Sequence, residues 1–413
     1  MTTPAHLAGR TADLTHALRA TELADFYRDL HRHPELSQRE FRTAGKLATA
    51  LRIAGYEVTE GVGGTGVVGV LRNGAGPVVW LRGDMDALPV EEETGLAYAS
   101  EVPGVMHACG HDLHVTWLMG AAQALAAGRE VWSGTLVVVG QPAEEGGGGA
   151  AAMVQDGVHT RFPRPDFLLG QHAAPGPAGL YSHTPGLTMS AADDIELIVY
   201  GVGGHGSRPE AAVDPIVTAA HLVTRLQTVI SREVAARHSA VLTVGQFHAG
   251  SKSNIIPAEA RLGLNLRTQD ATVREQILAA IRRIAEGECA AAGCPTVPDM
   301  RVVTSYPMTV NDAALAAEIA AVHRAVFGQD TVLDVGPVMG SEDFSLLAPD
   351  GVPYDFWYVT TTSAAVWDGA PGADFMEKLA NVPANHSPRF APDLSVLVPG
   401  VQTLVSAALA TLG

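Results

Sequence analysis

Apolar positions in the first third of the chain switch between two periods. Leu23, Phe26, Tyr27 and Leu30 recur at helical spacing and predict an amphipathic helix that stops before Pro34. Ser37 followed by Glu40 reads as a capping box that opens a second helix through about Leu51. Beyond Gly55 the pattern shortens: VVGVL, and then Val78 to Arg82, are apolar almost throughout, as in strands buried on both faces. A helix from about Leu113 to Ala127, the strand Gly134 to Gly140 and a further helix follow. Strands alternating with helices predict an α/β domain with a mainly parallel sheet.

Near Met189 the order changes. Ile195 to Tyr200 reads as a strand, Asp214 to Ser231 as a helix, and Val241 to Phe247 and Ala258 to Arg267 as two strands. Ala271 to Ala292 reads as a helix, and a last strand lies near Val302. That is βαββαβ, a ferredoxin-like arrangement of the right size for an inserted domain. The expected division is therefore residues 1–189 for the first part of one domain, 190–305 for the insert and 306–413 for the return. The chain ends in the helical Leu394 to Leu412.

Length agrees with two domains, because 413 residues exceed the roughly 300 at which single cores stop growing. No apolar run reaches the roughly 20 residues of a spanning helix, so no membrane is expected as a partner. The start, MTTPAHLAGRTADLTHALRA, is polar where a signal peptide is apolar, which predicts a cytoplasmic protein. Cys109, Cys289 and Cys294 are too few, and odd in number, for a disulfide framework. The 27 Lys and Arg against 44 Asp and Glu leave a net charge of −17. That field repels phosphate backbones and argues against nucleic acid.

Chemistry concentrates in a few loops. MHACGHDLH, Met106 to His114, sets a thiol and imidazoles directly before a helix, and Cys109 and His111 lie two apart, so one turn can aim both at a single ion. QPAEEGGGGA, Gln141 to Ala150, follows a buried strand, the end at which open α/β sheets place their ligands. Its adjacent glutamates point in different directions, so one can bind metal while the other handles protons. His172 follows the strand-like FLLG, and His386 lies in the loop NHSPRF. Each histidine alone is an ordinary structural residue. Taken with Cys109, His111 and a glutamate they make five ligands, enough for two ions sharing a bridge.

These segments, in this order, resemble the motifs of the aminoacylase, carboxypeptidase and hippurate hydrolase metallopeptidase family, in its N-acyl-amino-acid amidohydrolase subfamily. RGDMDALPVEE, GGHGSRPE, SNIIPAEA and GSEDF match as well. Within the subfamily the chain is similar to bacterial aminoacylases acting on N-acyl glutamine and aromatic acyl amino acids. The resemblance implies a dinuclear metallohydrolase domain carrying an inserted lid and dimerisation domain. It implies two divalent ions, zinc first and manganese, cobalt or nickel also suited, held by Cys109, His111, Glu145, His172 and His386. Glu144 becomes the general base and Asp86 a residue behind the ligands. Asp84 is left open, and His114 is expected to support the site rather than ligate.

In the insert, His205 is expected to reach the partner subunit's site, and Asn254 and Arg267 to hold the substrate's carboxylate or oxyanion. Two departures from the family pattern, Glu210 and LGLNLR before Arg267, bear on side-chain preference. The implied activity is hydrolysis of N-acyl amino acids by a homodimer or tetramer. A metallo-carboxypeptidase or dipeptidase would keep the same metals. Cys109 as a nucleophile, and a binding protein that has lost its metals, are the other two readings.

Overall fold

The computed structural model describes residues 3–412. They divide into two compact units: one holds the residues up to Thr188, Val310–Gly336 and those from Asp343 on, and the other holds Met189–Thr309 with Pro337–Glu342.

The first unit opens with helices α1 (Pro4–His16), α2 (Ala20–Arg32) and α3 (Phe41–Ile53). Leu23, Ala24, Tyr27 and Leu30 form the buried stripe of α2, as their spacing predicts. Helix α1 was not legible, because it buries only Leu7, Thr11 and Thr15 and so carries little apolar periodicity. The expected capping box is overturned. The first amides of α3, those of Arg42 and Thr43, donate to the Glu35 carboxylate at 3.0 and 2.8 Å. Ser37 and Glu40 are engaged elsewhere, as described below.

Strands β1 (Glu57–Val62), β2 (Gly66–Asn73), β3 (Val78–Asp84), β4 (Gly134–Gln141), β5 (Phe167–Pro177) and β6 (Tyr181–Ser182) join Val332–Leu333 and Tyr354–Thr362 in one sheet. Its order is β1-β2-β4-β3-β5, then Tyr354–Thr362, β6 and Val332–Leu333. The centre, from β4 through β3 and β5 to Tyr354–Thr362, is parallel. β1 and β2 add an antiparallel edge. Leu136 to Val139 of β4 are fully buried because helices cover both faces.

Helix α4 (His111–Ala127) is buried nearly all round and packs on the last helix, Leu397–Leu412. The pair is close because a Cβ on Gly400 would sit 2.3 Å from the Trp117 ring, and one on Gly120 would sit 2.6 Å from Val401. Leu394–Leu412 is long and apolar enough to cross a membrane, yet 67% of its most apolar stretch is buried in this core. It is a core helix.

The second unit runs Ala191–Tyr200, helix Pro215–Thr228, Ala240–Ala249, Glu259–Thr268, helix Ala271–Ala292, Asp299–Tyr306. Its sheet is antiparallel, with the fourth strand beside the first and the third between the first and second, which is ferredoxin-like. Leu197, Leu222, Leu264 and Ile277 lie in its own core.

Candidate metal centre

Three neighbouring strands and one helix start supply the site. β3 ends at Asp84 and leads to Asp86, β4 leads to Glu144 and Glu145, β5 carries His172, and α4 begins at His111. The sharp entry into α4 needs Gly110, at φ 85°, where an added Cβ would lie 2.9 Å from Ala173. The loop with His386 is tied in from far along the chain. His386 N donates to Ala108 O at 2.8 Å, and Asn385 Nδ2 donates to Cys109 O at 3.2 Å and Ala173 O at 3.1 Å.

The five residues singled out in the sequence come together. Cys109 Sγ lies 3.6 Å from His172 Nε2. His111 Nε2 lies 3.9 Å from Glu145 Oε1, and His386 Nε2 lies 3.0 Å from the same oxygen. The ligand atoms of Cys109, His111 and Glu145 all fall within 4.8 Å of one another. Ligands about 2.0–2.3 Å from one ion sit roughly 3.3–3.6 Å apart in a tetrahedron, so these spacings fit metal coordination.

Proton positions agree. Ala173 O can only accept, so His172 donates from Nδ1 at 2.7 Å and its neutral ring keeps the lone pair on Nε2. Asp86 Oδ1 takes the Nδ1 proton of His111 at 3.3 Å, with the same result. His111 Nε2 is buried and makes no hydrogen bond, an arrangement costly to a protein unless a cation satisfies it.

The field in the pocket is strongly negative. Burial, together with Glu145 and Glu144, pushes the Cys109 thiol well up, so a thiolate there needs a cation. Burial opposes charge on His111, yet Asp84, Asp86 and Glu145 outweigh it and raise its pKa to about 10. The carboxylates that would hold a proton there can equally hold a metal ion. A nucleophilic thiol requires the opposite setting, and the orienting partner of His172 is a backbone carbonyl.

Asp84 and His114 also lie within ligand distance of His111 and His172. Their atoms are already committed: His114 Nδ1 donates to Asp84 Oδ1 while its Nε2 accepts from Ala173 N at 2.8 Å. Asp84 Oδ2 takes Arg82 Nη1 at 2.7 Å. Burial, against the pull of Asp84, lowers His114 to about 3 and keeps it neutral. The pair fixes strand ends and ring orientation. Asp86 is the hub behind the ligands, accepting Glu144 N at 3.1 Å, Glu145 N at 3.0 Å and Ser37 Oγ at 2.6 Å besides His111. Asn385 and Ser37 were missed in the sequence, since nothing local marks a residue whose partner is far along the chain.

Within the second unit, Gly204–His205 pairs with Ile255–Ile256, and Gly206 N donates to Asn254 O at 2.9 Å, which sets Asn254 beside the His205 turn. Both residues are exposed. Ser207 N donates to His205 Nδ1 at 3.1 Å. An amide can only donate, so the neutral ring carries its proton on Nε2 and presents a donor. Arg267 donates from Nε to Asn265 Oδ1 at 3.0 Å and from Nη1 to Met339 O at 2.8 Å.

A parallel α/β sheet with mixed thiolate, imidazole and carboxylate donors at its strand ends defines a metal-dependent hydrolase. The model of Peptidase family M20/M25/M40 matches residues 80–410, and the chain belongs to that family. It is 40% identical over 319 residues to a hippurate hydrolase from Campylobacter jejuni, covering 76% of this chain and 82% of that one. It is 36% identical over 375 residues to a thermostable carboxypeptidase from Saccharolobus solfataricus, covering 90% of each. A solved dinuclear metal-binding M20 peptidase from Bacillus subtilis superposes with a TM-score of 0.75 at 29% identity, covering 95% of this chain and 98% of that one. The protein is an amidohydrolase that uses two divalent metals.

Proposed function

We propose that this enzyme removes the acyl group from N-acyl amino acids, with zinc as the first candidate metal and Cys109, His111, Glu145, His172 and His386 as its holders. The observation that carries the reading is the convergence of those five donors, with His111 Nε2, buried without a hydrogen bond, 3.9 Å from Glu145 Oε1. Bound there, two divalent ions supply Lewis acidity to the scissile carbonyl and acidify the attacking water.

Glu144 takes the water's proton and returns it to the departing amine. Its backbone amide is held by Asp86, which fixes the loop that carries it. His205 donates from Nε2 to the oxyanion, acting in the partner subunit's site of a homodimer, and Asn254 and Arg267 hold the substrate carboxylate. Cytoplasmic residence belongs to the same reading. Its test strips the protein with a chelator, restores single metals, and screens acetyl, benzoyl and longer acyl derivatives of several amino acids. Activity that survives metal removal would sink it.

A second reading has one specific support, the likeness to a thermostable carboxypeptidase along most of the chain. Release of C-terminal residues from short peptides with a higher kcat/KM than any N-acyl amino acid would favour it.

A further inference from the structure

Among the described residues only Gln38, Ala143 and His386 hold a positive φ without being glycine. His386 belongs to the candidate ligand set. The other two share one partner: Gln38 N and Ala143 N both donate to Glu40 Oε1, each at 2.9 Å. Thr65 Oγ1 donates to the other oxygen of that carboxylate. Glu40 is fully buried and lies 103 residues from Ala143.

Ala143 has φ 47° and stands directly before Glu144 and Glu145. A side chain resists this left-handed conformation, so something must hold it. The amides of residues 143, 144 and 145 end in succession on two buried carboxylates, Glu40 for the first and Asp86 for the next two. Asp86 holds the stretch after the bend and Glu40 holds the bend itself.

We infer that Glu40 is a positioning residue of the metal centre, clamping Ala143 in the left-handed conformation that aims Glu144 and Glu145. It touches neither metal nor substrate and acts through the backbone of the loop. The inference rests on the metal-centre reading above and deepens it.

The test titrates cobalt(II) into metal-free protein and follows the thiolate-to-cobalt absorption of Cys109, with the thermal midpoint as a check of folding. Glu40→Ala weakens cobalt binding about 10–100-fold, the usual effect of losing a partner behind a ligand. Adding Ala143→Gly recovers most of that loss, because glycine takes φ near +50° without a clamp. On an N-acyl amino acid at saturating metal, kcat falls more than KM rises. Two conservative changes serve if Glu40→Ala does not fold. Glu40→Gln keeps an acceptor in place and stays within about threefold of wild type, whereas Glu40→Asp withdraws it and does not. Wild-type cobalt affinity in Glu40→Ala overturns the inference. So does a loss that Ala143→Gly leaves untouched, or equal effects of Gln and Asp. A wild type that binds no cobalt overturns the metal-centre reading itself.

Discussion

The candidate site residues of the two units are secured by opposite means. At the metal centre of the first, Asp84, Asp86 and His111 lie at or near zero exposure and are held from behind: Asp84 by Arg82 and His114, His111 by Asp86, the glutamate loop by Asp86 and Glu40. In the second, His205 and Asn254 are exposed and rest on a two-residue ladder. Buried charge without partners is too costly to keep, so the ligand loops come with a rigid frame. The donor role proposed for His205 needs only a fixed tautomer, which Ser207 N supplies. Rigidity follows the cost of burial.

The sharpest way to break this comparison is to change one glutamate at a time. Glu144→Gln is expected to lower kcat by roughly 10²–10⁴, the worth of a general base, while metal content stays near wild type. Glu145→Gln should instead strip metal, as should Cys109→Ser, both read by metal analysis of dialysed protein. The reverse pattern at the two glutamates would exchange their roles.

In the second unit, His205→Ala is expected to cost about 10²–10³ in kcat, as loss of an oxyanion donor does, with unchanged metal affinity. Mixing inactive His205→Ala and Glu144→Gln proteins under subunit exchange should restore roughly a quarter of wild-type activity, since half the dimers are mixed and each has one intact site. Demonstrated exchange without recovered activity would place His205 in its own chain's site or in none.

A third effect belongs only to the buried frame. His31 Nδ1 meets Asp112 Oδ2 at 2.6 Å, and Nε2 meets Glu92 Oε1 at 3.3 Å, all nearly inaccessible. Burial opposes its charge, but hydrogen bonds to the Asp112 and Glu92 carboxylates win and raise it to about 9. A raised pKa stabilises the fold fully below the unfolded value of about 6.5 and loses that stabilisation as pH climbs through about 9, up to about 3 kcal/mol in all. Denaturant midpoints of metal-free protein should fall across that window, and His31→Gln should flatten the decline. An unchanged slope in the variant would remove His31 as its source. The smallest effect is expected at the exposed turn: Ser207→Ala removes one neutral hydrogen bond to His205 and should lower kcat only about 2–10-fold. A loss as large as that of His205→Ala would mean the turn is framed as tightly as the metal centre.

The candidate ligands were legible where their signals are local. Cys109 and His111 lie at a helix start, Glu144 and Glu145 follow an apolar strand, and the glycines beside them mark close backbone approach. The ferredoxin-like order of the second unit was legible too, from a change of period near Met189. Where the reading failed, a local rule competed with a distant partner. Ser37 and Glu40 satisfy the spacing of a capping box, yet their side chains serve Asp86 and Ala143.

By itself, then, the amino-acid order determined which donors are present, which strand or helix end carries each, and the α/β class, since all of these follow from periodicity and near neighbours. Tertiary structure alone decided that His114 spends its Nδ1 proton on Asp84 and its Nε2 lone pair on Ala173 N, and that Asn385 ties the His386 loop to Cys109. It also decided that Glu40 holds a residue 103 positions away. The physical reason is that a buried polar atom must be satisfied by whatever the fold brings within about 3 Å, and that partner leaves no trace in local sequence.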